Sequence, residues 1–68
     1  MDAKQFLDQF GREDAQRVAE SAGTSFGYFY QIALGHRRPS VELAERLVEA
    51  SESRLDFVAL LRSKKNAA

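Results

Sequence analysis

Apolar residues recur at three- and four-residue intervals along most of this 68-residue chain, and turn-forming residues punctuate them. That period belongs to short amphipathic helices. Phe6, Leu7 and Phe10 share one face, Asp2 can cap their helix and Gly11 ends it, so a first helix is expected over 3–10. A second is expected over 13–22. Glu13 and Asp14 stand in its first turn, where the helix dipole favours acids, and Ala15, Val18, Ala19 and Ala22 form its apolar stripe. Gly23 is its stop, since glycine takes the left-handed conformation without penalty.

The third helix begins after the N-cap Ser25 and runs to Leu34, with Gly35 as its stop. His36, Arg37, Arg38 and Pro39 make a basic loop. Pro39 cannot continue a helix, and Ser40 can cap the next one, over 41–50. Val41, Ala44, Leu47 and Val48 are its expected buried stripe, with Glu42, Glu45, Glu49 and Glu52 in water. Ser53 with Asp56 three residues later forms a capping-box pattern and predicts a fifth helix over 54–63. The run from Leu55 to Leu61 does not alternate cleanly, as a half-buried strand would, which also favours helix. The expected fold is therefore all-α, a compact five-helix domain over 1–63 with a flexible basic tail over 64–68.

Length narrows the function. A chain this short makes one domain, buries only about 60% of its unfolded surface, and has little room for a catalytic pocket. It has no cysteine and one histidine, so neither a disulfide framework nor a metal site is expected. No nucleophile–base–acid set and no phosphate-binding glycine loop is present, so no enzyme, cofactor or small-molecule ligand is expected. The start, MDAKQFLDQF, lacks the apolar core of a signal peptide. The longest apolar run, Phe57 to Leu61, is far below the roughly 20 residues of a membrane helix. A cytoplasmic setting without membrane contact follows as the expectation.

Net charge is zero, whereas DNA-binding domains often have a pI above about 9. The distribution changes that picture. Residues 1–23 carry −2, residues 24–40 carry +2 from Arg37 and Arg38 with no acid, residues 41–52 carry −3, and residues 53–68 carry +3. A local phosphate-facing surface fits the middle segment.

Residues 15–35, AQRVAESAGTSFGYFYQIALG, combine features that a helix-turn-helix needs. Ala19 is small at the corner, Gly23 makes the tight turn, and Phe29 and Ile32 fall three apart to pack against Val18 and Ala22. At about 100° per residue, Gly27, Tyr30, Gln31 and Leu34 lie opposite Phe29 and Ile32.

The stretch GTSFGYFYQIALGHRRPSVELAERL, from Gly23 to Leu47, resembles the Cro and repressor class of helix-turn-helix regulators of phages and bacteria. It is most similar to short Cro-like regulators whose recognition helix reads roughly S-Y-L-S-Q-I before a glycine and an R-R-P-S loop. Here the matching residues are Tyr28, Phe29, Tyr30, Gln31, Ile32, Gly35, Arg37, Arg38, Pro39 and Ser40. With Val18, Ala19 and Gly23, the likeness covers residues 13–50. It implies a lambda-repressor-like fold, core roles for Phe29 and Ile32, and a groove-facing set of Ser25, Phe26, Gly27, Tyr30 and Gln31. Three positions depart from the pattern. Ala15 stands where the class often has a phosphate-binding glutamine, with Gln16 one residue late. Thr24 replaces a usual aliphatic residue, and Gly27 removes a side chain from the start of the reading helix.

Each site residue has its chemistry. Gln31 can fork to adenine N6 and N7, and Tyr30 or Phe26 can meet a thymine methyl. Arg37 and Arg38 are cations beside the reading helix, suited to phosphates. Gln16, Arg17, Tyr28 and Ser40 complete the expected backbone-contacting set. Leu55, Phe57, Val58, Leu60 and Leu61 cover more of their helix than one buried stripe needs, so part of the set is available for a two-fold homodimer. Such a dimer would hold two recognition helices about 34 Å apart, one turn of DNA. The expected partner is thus a double-stranded DNA operator, and the expected activity is transcriptional repression. The alternative is a protein-interaction module, antirepressor- or antitoxin-like, built on the same frame, which zero net charge favours.

Overall fold

Asp2 starts the first helix as the spacing predicts. Its carboxylate accepts the Gln5 backbone N–H at 2.8 Å, and the Gln5 side chain accepts the Asp2 N–H at 2.9 Å, a reciprocal capping box. The computed structural model describes residues 1–62, and four helical elements follow along them: α1 (Ala3–Ser21), α2 (Phe26–Ala33), α3 (Val41–Ala50) and α4 (Phe57–Leu61). Among the described residues every element is helical. The radius of gyration is 10.3 Å and the extents are 30 × 23 × 19 Å, against about 11 Å for a compact chain of this length. No helix of the described residues is long and apolar enough to cross a membrane.

The elements number four where five were expected, because the first two predicted helices run together as α1. Gly11 breaks α1 internally, with φ 89° and ψ 173°. The break has a reason in the pattern. Ala15 lies nine residues beyond Phe6, so at about 3.6 residues per turn a straight helix would aim them to opposite sides. Both are buried in one core, and the non-helical residue between them resets the phase.

The turn after α1 is closed by backbone bonds. Gly23 N–H donates to Glu20 O at 3.0 Å, and Thr24 N–H to Ala19 O at 2.9 Å. Ser25 caps α2 by accepting the Tyr28 N–H at 3.2 Å. At the far end Gly35, at φ 83°, lets the His36 N–H return to Gln31 O at 2.9 Å. Ser40 accepts the Leu43 N–H at 3.1 Å and starts α3, after a buried Pro39.

The core centres on Phe29, Leu47 and Leu55, the largest fully buried side chains. Phe6 meets Phe29 edge to face, with centroids 6.2 Å apart, and Phe10 packs on Phe6 at 4.8 Å. Ala15, Ala19, Ala22, Ala33 and Ala44 are buried around them and let the helices approach closely.

Two expectations are corrected here. Val41 is 56% exposed and lies outside the buried stripe of α3, which begins one turn later at Ala44. The Ser53–Asp56 capping box does not form. Glu52 and Ser53 take left-handed φ values of 57° and 67°, and Ser53 N–H turns back to Val48 O at 2.9 Å. Leu55, expected within a helix, is buried in the connection, its N–H donated to the buried Ser51 hydroxyl at 3.0 Å. The Asp56 N–H donates to Met1 O at 2.8 Å, and the Met1 amino group donates to Arg54 O at 3.1 Å. The Ser53 and Asp56 N–H groups that the capping box would use are thus taken by Val48 O and Met1 O, and α4 starts only at Phe57. The expected helix end at Ser63 and the tail over 64–68 lie outside the described residues.

Candidate functional site

The outward face of α2 carries no charge. Gly27, Tyr30, Gln31 and Leu34 are exposed along it, Phe26 and Tyr28 are half-buried at its edges, and Phe29, Ile32 and Ala33 are buried beneath. The helical wheel therefore separates the two faces as the 3.6-residue period requires. Phe26 and Tyr30, one turn apart, stack with centroids 5.8 Å apart at 24°. At Gly27 an added Cβ would meet only the Ser25 Oγ at 3.8 Å, so the glycine leaves open surface there rather than relieving a clash. Ser25 spends its oxygen's acceptor role on the α2 cap and keeps a hydroxyl proton to donate.

Cations border this face. The Arg37 guanidinium lies 5.6 Å from the Tyr28 ring centroid. Arg38 beside it is exposed. Arg12, which follows the Gly11 break, lies over the Phe26 ring at 4.8 Å. Among the described residues no acid pairs with Arg12, Arg37 or Arg38. Guanidinium groups over aromatic faces gain about 0.5–1 kcal/mol at exposed sites. That restricts them near the rings while leaving their N–H edges available.

The candidate set divides. Ser25, Phe26, Gly27, Tyr30 and Gln31 come together on or at the start of α2, with Tyr28 and Arg37 in contact at its edge. Ser40 serves the α3 cap. Gln16 and Arg17 are engaged on their own helix. The Gln16 amide donates to a Glu20 carboxylate oxygen at 3.3 Å, and Arg17 pairs with Asp14. The local acids offset the Arg17 charge, which weakens its claim to a phosphate. Arg12 was missed by the sequence reading. It lies outside the 15–35 motif, and only the break at Gly11 and the fold bring it to Phe26.

Away from this face, a concavity of about 300 Å³ lies between Phe6, Phe10, Arg17 and Val18 of α1 and Ser51 and Arg54 beyond α3. Its two arginines are already paired, Arg17 with Asp14 and Arg54 with Glu52. Among the described residues no group of three or more His, Cys, Asp or Glu side chains is placed to hold a metal ion. No family model, curated protein or solved structure matches the chain.

Proposed function

We propose that this chain is a sequence-specific DNA-binding regulator of the Cro type, using α1, the turn over 22–25 and α2 as a helix-turn-helix within a lambda-repressor-like domain. The observation that carries the reading is the uncharged, exposed face of α2 with Arg12 and Arg37 at its edges and Arg38 exposed next to Arg37, none paired with an acid among the described residues. Phosphates call for cations at the borders of a reading helix, and amides and apolar groups at its centre can meet base edges. In this reading Gln31 is the base-reading amide, and Arg37 and Arg38 hold the backbone.

Binding to a two-fold operator as a homodimer completes the proposal. Val58, 56% exposed on α4, supports self-association there. The work is done in the cytoplasm, on double-stranded DNA, by occluding polymerase, with no cofactor and no catalysis. A second reading, a protein-interaction module, draws on zero net charge and on Tyr30 and Leu34, exposed at 41% and 42%.

Selection from a random duplex pool tests the proposal. A two-fold symmetric consensus is expected, with log affinity falling linearly against log salt. Gln31→Ala should weaken the enriched site about tenfold and leave random duplex unchanged. Arg37→Ala should weaken both alike and reduce the salt slope by about 1. Failure to retain any duplex at about 50 mM salt sinks the reading. Retention instead of a protein partner at high salt would favour the second.

A further inference from the structure

The α2 face is poor in the groups that usually read DNA. Gln31 is its one amide, and no charged side chain lies between Ser25 and Leu34. What the face offers is apolar: the Phe26–Tyr30 stack and, one turn on, Leu34. Tyr30 and Leu34, one turn apart, keep 41% and 42% of their surface in water and leave an apolar strip open to a partner. The partner must also accommodate Arg12 and Arg37, which lie over the Phe26 and Tyr28 rings of the same helix with no acidic partner among the described residues. An apolar groove on a protein would answer the stripe, but would answer the cations only if acids rimmed it. A DNA major groove answers both, because it is walled by phosphates and carries one apolar group on its floor, the C5-methyl of thymine.

We infer that α2 selects its DNA by covering thymine methyl groups with Tyr30, Leu34 and the exposed edge of Phe26, so that the preferred duplex is rich in T·A pairs along the contacted strand. The inference rests on the DNA reading above and deepens it. Two features prepare the surface. The Tyr30 ring is stacked on Phe26, and Arg12 lies over Phe26, so the aromatic pair loses little freedom on binding. Gly27 keeps the neighbouring surface low, with open space where a Cβ would stand, and this lets the helix approach the groove floor closely. Arg12 is in this scheme a positioning residue, holding the ring while its N–H edge faces a phosphate.

The test replaces thymine by deoxyuridine in the duplex enriched from the random pool. Uracil keeps every hydrogen-bonding group and deletes the methyl alone. Affinity is expected to fall about fourfold for each covered methyl removed. In Tyr30→Ala and in Leu34→Ala the ratio of thymine to uracil affinity should shrink toward one, with folding checked by helical circular dichroism. Both side chains are exposed, so both variants should fold. Equal binding of the thymine and uracil duplexes by the unmodified chain overturns the inference and leaves DNA binding standing. An undiminished ratio in both variants also overturns it. If no duplex is bound at all, the DNA reading itself fails, which is a different result from either.

Discussion

Phe29→Ala is expected to destabilise the fold by about 3–5 kcal/mol, the usual cost of a large aromatic truncation in a closed core. Phe29 is fully buried on the inner face of α2, and Phe6 meets it edge-on. The surrounding small side chains, Ala15, Ala19 and Ala33, are themselves buried and have little length with which to fill the hole. A chain of this size has about 3–10 kcal/mol in total, at 0.05–0.15 kcal/mol per residue. The variant should therefore stand at the edge of unfolding at 25 °C. Urea denaturation followed by far-UV circular dichroism gives the measurement. Gln31→Ala, exposed on the same helix, is the control and should stay within about 0.5 kcal/mol of the unmodified chain. A Phe29→Ala midpoint equal to that control would show that the centre of the core lies elsewhere.

Gly11→Ala should cost about 2–3 kcal/mol, although nothing crowds the position. A Cβ there meets no atom within 4 Å. The cost is in the backbone, because φ 89° with ψ 173° is a conformation that essentially only glycine adopts. Alanine also favours continued helix across the break, and continued helix would turn Phe6 away from the side that Ala15, Val18 and Ala19 bury. The same denaturation experiment measures the loss. A synthetic chain with D-alanine at position 11, for which a positive φ is ordinary, should recover most of it. If the D and L residues destabilise equally, conformational strain is not the cause.

The parts of this fold that are legible in the sequence are those decided within one helical turn. Asp2, Ser25 and Ser40 cap where their positions predict, and each does so through a backbone N–H three residues ahead. Gly23 and Gly35 end their helices at positive φ. Val18, Phe29, Ile32 and Leu47 are buried as their spacing requires. The remaining expectations fail for separate reasons. Ser53 and Asp56 have the right spacing for a capping box. Yet the Asp56 N–H is taken by the Met1 carbonyl, a partner that no local pattern shows, and the Ser53 N–H turns back to Val48 O. Val41 fits the apolar stripe by spacing but sits at the first position of α3, outside the core. In the candidate site, the place of Gln16 and Arg17 before the turn suits a phosphate contact. Glu20 and Asp14, three or four residues from them, are the partners they meet. No local pattern points to Arg12, because its neighbour Phe26 belongs to another helix.

The clasp between the chain start and the segment before α4 bears on the order of assembly. The Met1–Arg54 bond joins residues 53 apart in sequence. Arg37 and Tyr28, or Thr24 and Ala19, are near neighbours along the chain. Closing a loop of that longer span costs about 1.5–2 kcal/mol more chain entropy than closing one of about ten residues, and local contacts set the pace of folding in helical proteins. The turn before α2, α2 itself and the Arg37 contact are thus joined by short-range contacts and should form before the clasp. The clasp closes late, over a surface that is already in place.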